Sequence, residues 1–220
     1  MRPVWVAGAC FAVALAACGE GTRQPHEIAD DVVGAVAAGD NATWRALHAE
    51  NAIAVMPDGE TIELFGASPA VLDDFDGDGI VSFADELQFR GAMQHPARQE
   101  MTWDCVTVAD AVAECSMTVT DVFVEAGGAE PMHTASRLTF EDGLITVEEL
   151  LASPDPAASA RAAEAYSATL AAYEEWVRDV HPDAYPTLFH GPCCDAAFVA
   201  LPDAVAAHHV LIEEFFPASD

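Results

Sequence analysis

The sequence predicts an α+β fold, on three observations. Apolar residues recur at helical spacing near the N-terminus, at Ile28, Val32, Val33, Val36 and Ala37. The middle of the chain is rich in Val, Thr, Phe and Ile, with glycine turns between the runs. A long Ala-rich stretch and a further apolar stripe then restore helical periodicity towards the C-terminus.

The first helix runs from His26 to Ala38 and ends at Gly39. "DNATWRALHAEN" starts a second, with Asn41 or Thr43 as its N-cap. Ala52 to Val55 and Thr61 to Phe65 are short strands around the turn Met56-Pro57-Asp58-Gly59. After an acidic loop, Phe83, Leu87, Phe89, Ala92 and Met93 mark a helix that ends before Pro96. Ala157 to Val180 is a long helix with Tyr166, Leu170, Tyr173, Trp176, Val177 and Val180 as its stripe, stopped by His181-Pro182. Ala204 to Phe216 is the last helix.

Between the helices lie four predicted strands: Trp103 to Val108, Val112 to Glu125, Met132 to Phe140 and Leu144 to Leu150. Two-residue loops at Gly127-Gly128 and Asp142-Gly143 set their register. The first pairs Phe123 with Met132, Val119 with Ser136 and Met117 with Leu138. The second pairs Leu138 with Val147 and Phe140 with Ile145. One face of an antiparallel meander then collects the apolar residues and is buried. A three-residue loop at Ala109-Asp110-Ala111 sets Cys105 opposite Cys115. Directly paired antiparallel Cα atoms lie roughly 4.5–5.5 Å apart, within disulfide reach, so a Cys105–Cys115 bridge is expected.

The chain has 220 residues and is 52% hydrophobic, which excludes disorder and gives enough material for a real core. It carries 37 Asp and Glu against 8 basic residues, all of them Arg, for a formal charge of −29. Such a surface repels nucleic acid and anionic headgroups and attracts cations. A general salt adaptation accounts for most of that charge.

The opening "MRPVWVAGACFAVALAACGE" has one Arg and an apolar run from Val4 to Ala17, too short for a mature membrane span. It reads as an export signal over residues 1–17. Leu15-Ala16-Ala17-Cys18-Gly19 resembles the bacterial lipobox, which implies cleavage before Cys18 and a lipid on its sulfur; a plain secretory signal with a coincidental Cys is the alternative. Residues 18–26 would be the lipidated Cys and a tether. An extracytoplasmic protein anchored to the cell membrane by that lipid is the expectation. In such a compartment Cys105, Cys115, Cys193 and Cys194 are an even set for disulfides.

Two N-terminal helices, a short hairpin, a helix and a meander ending in "RLTFEDGLITVEEL" (Arg137 to Leu150) resemble the nuclear transport factor 2-like superfamily and its SnoaL-like members. "YEEWVRDVHP" (Tyr173 to Pro182) is similar to the C-terminal helix of secreted members. The resemblance implies a cone: a curved antiparallel sheet wraps the N-terminal helices over residues 27–151 and leaves a pocket open at one end. Residues 152–220 would be a C-terminal helical extension. The superfamily includes isomerases, cyclases, dehydratases and members without chemistry, so the fold alone selects no function.

"DDFDGDGIVSFADEL" (Asp73 to Leu87) resembles an EF-hand or dockerin-type calcium loop spanning 74–85. Asp74, Asp76 and Asp78 stand at alternate positions, Gly79 permits the sharp turn, and Ile80 would offer its carbonyl. Ser82 and Asp85 would complete the shell. A short Asp at the last position and the missing incoming helix depart from the pattern. A solvated acidic turn is the competing reading. The ion would be structural, fixing the helix that starts at Phe83.

Strand parity puts Asp121 on the inward face, opposite Thr134. A carboxylate on an apolar face pairs or titrates high, and the family's enzymes use an acid in the cone as general base. Asp121 is therefore the candidate catalytic residue, unless a bulge turns it to solvent. Trp103, Met117, Val119, Phe123 and Thr134 would line the pocket around it, while His133 faces out. "HGPCCD" (His190 to Asp195), with His208 or His209, could hold zinc or copper; a vicinal disulfide or a bridge elsewhere is the plainer reading.

The function expected is binding of a small apolar ligand or a surface protein, by a calcium-stabilised, membrane-anchored domain without nucleic-acid partners. The alternatives are an enzyme using Asp121 on a small carbonyl compound, and a calcium-responsive surface interaction module.

Overall fold

The computed structural model describes residues 23–68, 71–94, 100–191 and 197–217. Helix α1 (Pro25–Ala38) opens with a capping box. The Gln24 side chain accepts from the third helical N–H and Glu27 reaches back to the Gln24 N–H. Gly39 ends it in the left-handed region at φ 65°. Helix α2 (Asn41–Ala46) is capped by Asp40, one residue before the predicted cap, whose carboxylate accepts from Thr43 N. Strand β1 (His48–Val55) pairs antiparallel with β2 (Thr61–Glu63). Helix α3 (Phe83–Gln94) follows the acidic loop. Strands β3 (Glu100–Ala109) and β4 (Val112–Thr120) form a hairpin, and α4 (Val122–Ala126) follows directly. Strands β5 (Met132–Glu141) and β6 (Leu144–Leu151) complete the sheet. The extension comprises α5 (Pro156–Val180), α6 (Tyr185–Leu188), β7 (Phe189–His190), β8 (Ala197–Phe198) and α7 (Pro202–Phe215).

The main sheet is six-stranded and curved, in the order β2-β1-β6-β5-β4-β3. It is mixed rather than purely antiparallel, because β1 runs parallel to β6. The sequence cannot show that pairing: almost a hundred residues separate the two strands, and the hairpin turns say nothing of it.

The β3–β4 register is the expected one. Cys105 faces Cys115, and the two form a disulfide with an S–S distance of 2.04 Å. The β4–β5 register differs from the expectation by four residues: Val119 faces Met132 and Met117 faces Thr134. The chain does not continue as a strand to Glu125. It leaves the sheet at Thr120, Asp121 caps α4, and Gly127 is the C-cap. Because four is even, the buried face keeps its parity. In β5–β6, Phe140 faces Ile145 as expected, but a bulge after Thr139 sets Leu138 opposite Glu148 rather than Val147.

Two cores result. In the first, Ile28, Val32 and Val33 of α1 pack with Trp44 against the concave sheet face at Cys115, Leu138, Phe140 and Ile145. In the second, Met93 of α3 and Phe123 of α4 pack with Tyr173, Val177, Leu188, Leu211 and Ile212 of the extension. Full burial of each large apolar side chain contributes about 1.5–3 kcal/mol, so the extension is a principal part of the fold's stability. Its polar groups are matched. The His208 Nε2–H donates to Leu188 O at 3.0 Å, which leaves Nδ1 to accept from the Tyr173 hydroxyl at 3.0 Å. Burial holds His208 down to about 4, so it stays neutral.

Candidate functional site

A cavity of about 430 Å³ lies against the second core, beside the start of β5. Helix α3 contributes Glu86, Phe89, Arg90 and Met93, and the α4 turn contributes Asp121 and Phe123. Strand β5 adds Met132, helix α5 adds Ala163, Tyr166 and Ser167, and β8 adds Phe198. Phe123 sits edge-on to Tyr166 with centroids 5.5 Å apart, and its ring centroid is 6.2 Å from that of Phe198. Phe198 in turn lies 6.4 Å from Phe89. The aromatic rings thus form a continuous wall around the cavity.

Asp121 is the acid in that wall, and it is only 5% exposed. As N-cap of α4 its Oδ1 accepts from Phe123 N at 2.7 Å and Val124 N at 3.4 Å. Oδ2 has no hydrogen-bond partner among the described residues. Burial raises its pKa from 3.8 to about 6, against the lowering effect of the two N–H groups, and the nearby Glu125 raises it further. The Tyr166 hydroxyl is pushed up to about 12, first by burial and then by the charge of Asp121. Arg90 is ion-paired to Glu86 one helical turn away and is largely exposed.

The cavity is walled elsewhere than the sequence predicts. Asp121 faces inward, but as a helix cap rather than as a strand residue, and it is not opposite Thr134. Of the expected lining residues, Phe123 lines the cavity; Trp103, Met117, Val119 and Thr134 do not. For Trp103 and Met117 the physical reason is that α1 packs over β3 and β4 on the concave face. Met117 packs against that first core, Val119 is buried, and Thr134 is exposed. Trp103 lies over α1, where a Cβ added to Gly34 would meet its Cζ2 at 3.7 Å. His133, expected to face out, is half-buried beside Thr118, its Nδ1 3.1 Å from the hydroxyl.

The sequence reading missed Glu86, Arg90, Met93, Tyr166 and Phe198 as site residues. A signal for α4 exists, an N-capping Asp121 followed by Gly127-Gly128, but the β-branched run Val119-Thr120 and Val122, Val124 masks it. Nothing local marks Phe198.

The acidic loop brings Asp74, Asp76 and Asp78 together, with carboxylate oxygens within 4.8 Å of one another. Asp74 accepts from Gly77 N and Gly79 N at 2.7 and 3.0 Å. The Arg45 guanidinium lies 3.7 Å from both Asp76 and Asp78 and supplies part of the missing positive charge. Ile80 is 45% exposed. Asp85 is buried and turned elsewhere: Oδ1 accepts from Phe75 N and Asp76 N, and Oδ2 from Ser82 N and Ser82 Oγ. Asp85 therefore ties the loop to the start of α3. The three clustered carboxylates suit a hard cation, whereas Ser82 and Asp85 are engaged with each other.

His190 pairs with Asp73 at 2.8 Å, and Asp73 also accepts from Ala200 N. His208 serves the second core, and His209 has its Nε2 3.1 Å from Ala92 O. Cys193 and Cys194 lie outside the described residues, as do the expected signal segment and Cys18.

No protein-family model matches the chain, and no curated protein matches it in sequence. Among solved structures it is similar to a putative ketosteroid isomerase from Kribbella flavida, at 19% identity and a TM-score of 0.39 over 61% of this chain and 83% of that one. It is also similar to a putative polyketide cyclase from Sinorhizobium meliloti (18% identity, TM-score 0.37, 56% of this chain, 93% of that one). A third is an NTF2-like protein of unknown function from Cytophaga hutchinsonii (8% identity, TM-score 0.40, 62% of this chain, 96% of that one). All three TM-scores lie below 0.5, so the fold assignment rests on this chain's own elements and the functional reading on its own cavity.

Proposed function

We propose that the protein binds a small, mainly apolar organic ligand in the cavity against its second core, with Asp121 as the polar anchor. One observation carries this: a buried carboxylate with a free oxygen, set in an aromatic wall around about 430 Å³ of space. That combination is the usual make-up of a small-molecule site. The test is occlusion. Ala163 is exposed on α5 at the cavity wall, so Ala163→Trp fills the space from a position that belongs to neither core. Small aromatic ligands should raise the melting temperature of the wild type and leave that of the variant unchanged. Equal shifts in both proteins would refute binding at this place.

The raised pKa of Asp121 favours a second reading, general-base chemistry on a small carbonyl compound, since a base near 6 is poised for proton transfer. Exchange of a carbonyl compound's α-protons into deuterated water, lost in Asp121→Asn, would establish it.

The loop around Asp74, Asp76 and Asp78 is proposed to take calcium as a structural ion that supports the start of α3. With extracellular-type affinity of about 10⁻⁴–10⁻³ M, 5 mM calcium would add about 1–2 kcal/mol of stability. An Asp76→Ala, Asp78→Ala double variant should lose that increment; a chelator without effect on the wild type would remove the proposal. Export and lipidation at Cys18 are proposed on the sequence alone. Metabolic labelling with a fatty acid, abolished by Cys18→Ala, is the corresponding check.

A further inference from the structure

We propose that the ligand of this cavity is an organic cation: an amine or ammonium group attached to an apolar or aromatic body. The inference rests on the binding reading given above and specifies the chemical class of that same site.

Three features of the cavity select a cation over a neutral or anionic ligand. First, Asp121 Oδ2 is an acceptor that nothing else among the described residues satisfies, while Oδ1 is saturated by two backbone N–H groups. An acceptor open to the cavity in an apolar wall favours a ligand that donates, and a charged donor most strongly. Second, the wall is built from Phe89, Phe123, Tyr166 and Phe198. Ring faces attract cations within about 6 Å of the centroid, and an ammonium loses less on leaving water when such faces surround it. Third, the ionised groups at the cavity are Asp121 and Glu86 against Arg90, and Arg90 is already paired with Glu86 at the exposed margin. The remaining charge is negative, inside a protein whose overall formal charge is −29. An anion would meet Asp121 with no free cation among the described residues to offset it. A neutral alcohol could donate to Oδ2 but would leave the carboxylate's charge uncompensated.

The test is calorimetric titration with 2-phenylethylammonium, the neutral 2-phenylethanol and the anionic phenylacetate, at pH 7.5 and 150 mM salt. Wild-type protein should bind the ammonium at least tenfold more tightly than the alcohol, and phenylacetate should give no heat. Asp121→Asn should abolish the tenfold preference while keeping the alcohol's affinity. Because that variant retains nearly all of the protein's acidic surface, non-specific attraction would survive in it and is thereby separated. Ala163→Trp should bind none of the three. If the alcohol or phenylacetate binds as tightly as the ammonium, the cation assignment is overturned and the cavity reading stands. If none binds, or if Ala163→Trp binds them as the wild type does, the cavity reading falls and the cation assignment with it.

Discussion

Asp121→Asn should stabilise the empty protein at neutral pH and leave it nearly unchanged in acid. Burial raises the folded-state pKa of Asp121 from 3.8 to about 6. A carboxyl whose folded pKa is raised binds its proton more tightly in the folded protein. Its protonated form is therefore fully compatible with folding below pH 4, and stability falls as pH rises from about 4 through 6. At roughly 1.4 kcal/mol for each pH unit between the two values, the ionised carboxylate costs about 3 kcal/mol at pH 7.5. Asparagine cannot ionise, and its side-chain carbonyl can still accept from Phe123 N and Val124 N, as Asp121 Oδ1 does. Alanine removes the charge and the cap together, and losing a cap costs about 1 kcal/mol. Urea unfolding of the three proteins between pH 4 and 7.5 measures this. The gain of Asp121→Asn over wild type should grow from near zero to about 3 kcal/mol across that range. Asp121→Ala should run about 1 kcal/mol below it throughout, changing sign against wild type near the acid end of the range, at about pH 4.5. The other titrating groups cancel in these differences, including His208, which opposes Asp121 by favouring the fold as pH rises from 4 to 6.5. A difference between Asp121→Asn and wild type that stays flat with pH would refute the burial argument. A cost of this size is what a ligand site is expected to carry.

Three further predictions concern the frame around the site. A Cβ on Gly127 would stand 2.6 Å from Ala165 Cβ and 2.9 Å from its backbone. Gly127→Ala should thus cost about 1–3 kcal/mol by forcing α4 away from α5; thermal unfolding within a degree of wild type would contradict the close approach. Replacing both Cys105 and Cys115 by Ser opens a loop with a sequence separation of 10. The loss should be at most about 3 kcal/mol, and less if the unfolded hairpin stays partly paired, as denaturant titration would show. His48 Nδ1–H donates to Trp44 O at 2.8 Å, which leaves Nε2 facing Glu148 Oε2 at 3.8 Å with both atoms buried and unpartnered. Glu148→Gln supplies an N–H to that gap and should stabilise by about 1 kcal/mol; a variant less stable than wild type would contradict this account of the gap.

The helices and the β3–β4 hairpin were legible because their signals are local. Periodicity marks α1, α3, α5 and α7, and the two cysteines pin one register independently of turn type. The β4–β5 register was not legible in the same way. Val119, Thr120, Val122 and Val124 carry strand propensity, yet Asp121 caps a helical turn there because Val122 and Phe123 gain burial in the second core. Tertiary packing overrode local preference, and the hairpin loop moved with it. Asp121 could be singled out as an acid among apolar residues, but its neighbours in space could not. Tyr166, Met93 and Phe198 come from three elements that no turn or periodicity connects, and the parallel β1–β6 pairing depends on contacts far apart in the chain. The location of the cavity followed from the filling of the concave face by α1, which only packing reveals.

Two methionines, Met93 and Met132, line the cavity, whereas Met56, Met101 and Met117 lie elsewhere. Methyl spectra of protein labelled at the methionine methyls, recorded during titration with 2-phenylethylammonium, therefore test the central claim most directly. The Met93 and Met132 signals should move together and saturate with one apparent affinity, while those of Met56, Met101 and Met117 stay in place. Shifts at the other methionines alone, or no shift at Met93 and Met132 at saturating ligand, would contradict a ligand site against the second core.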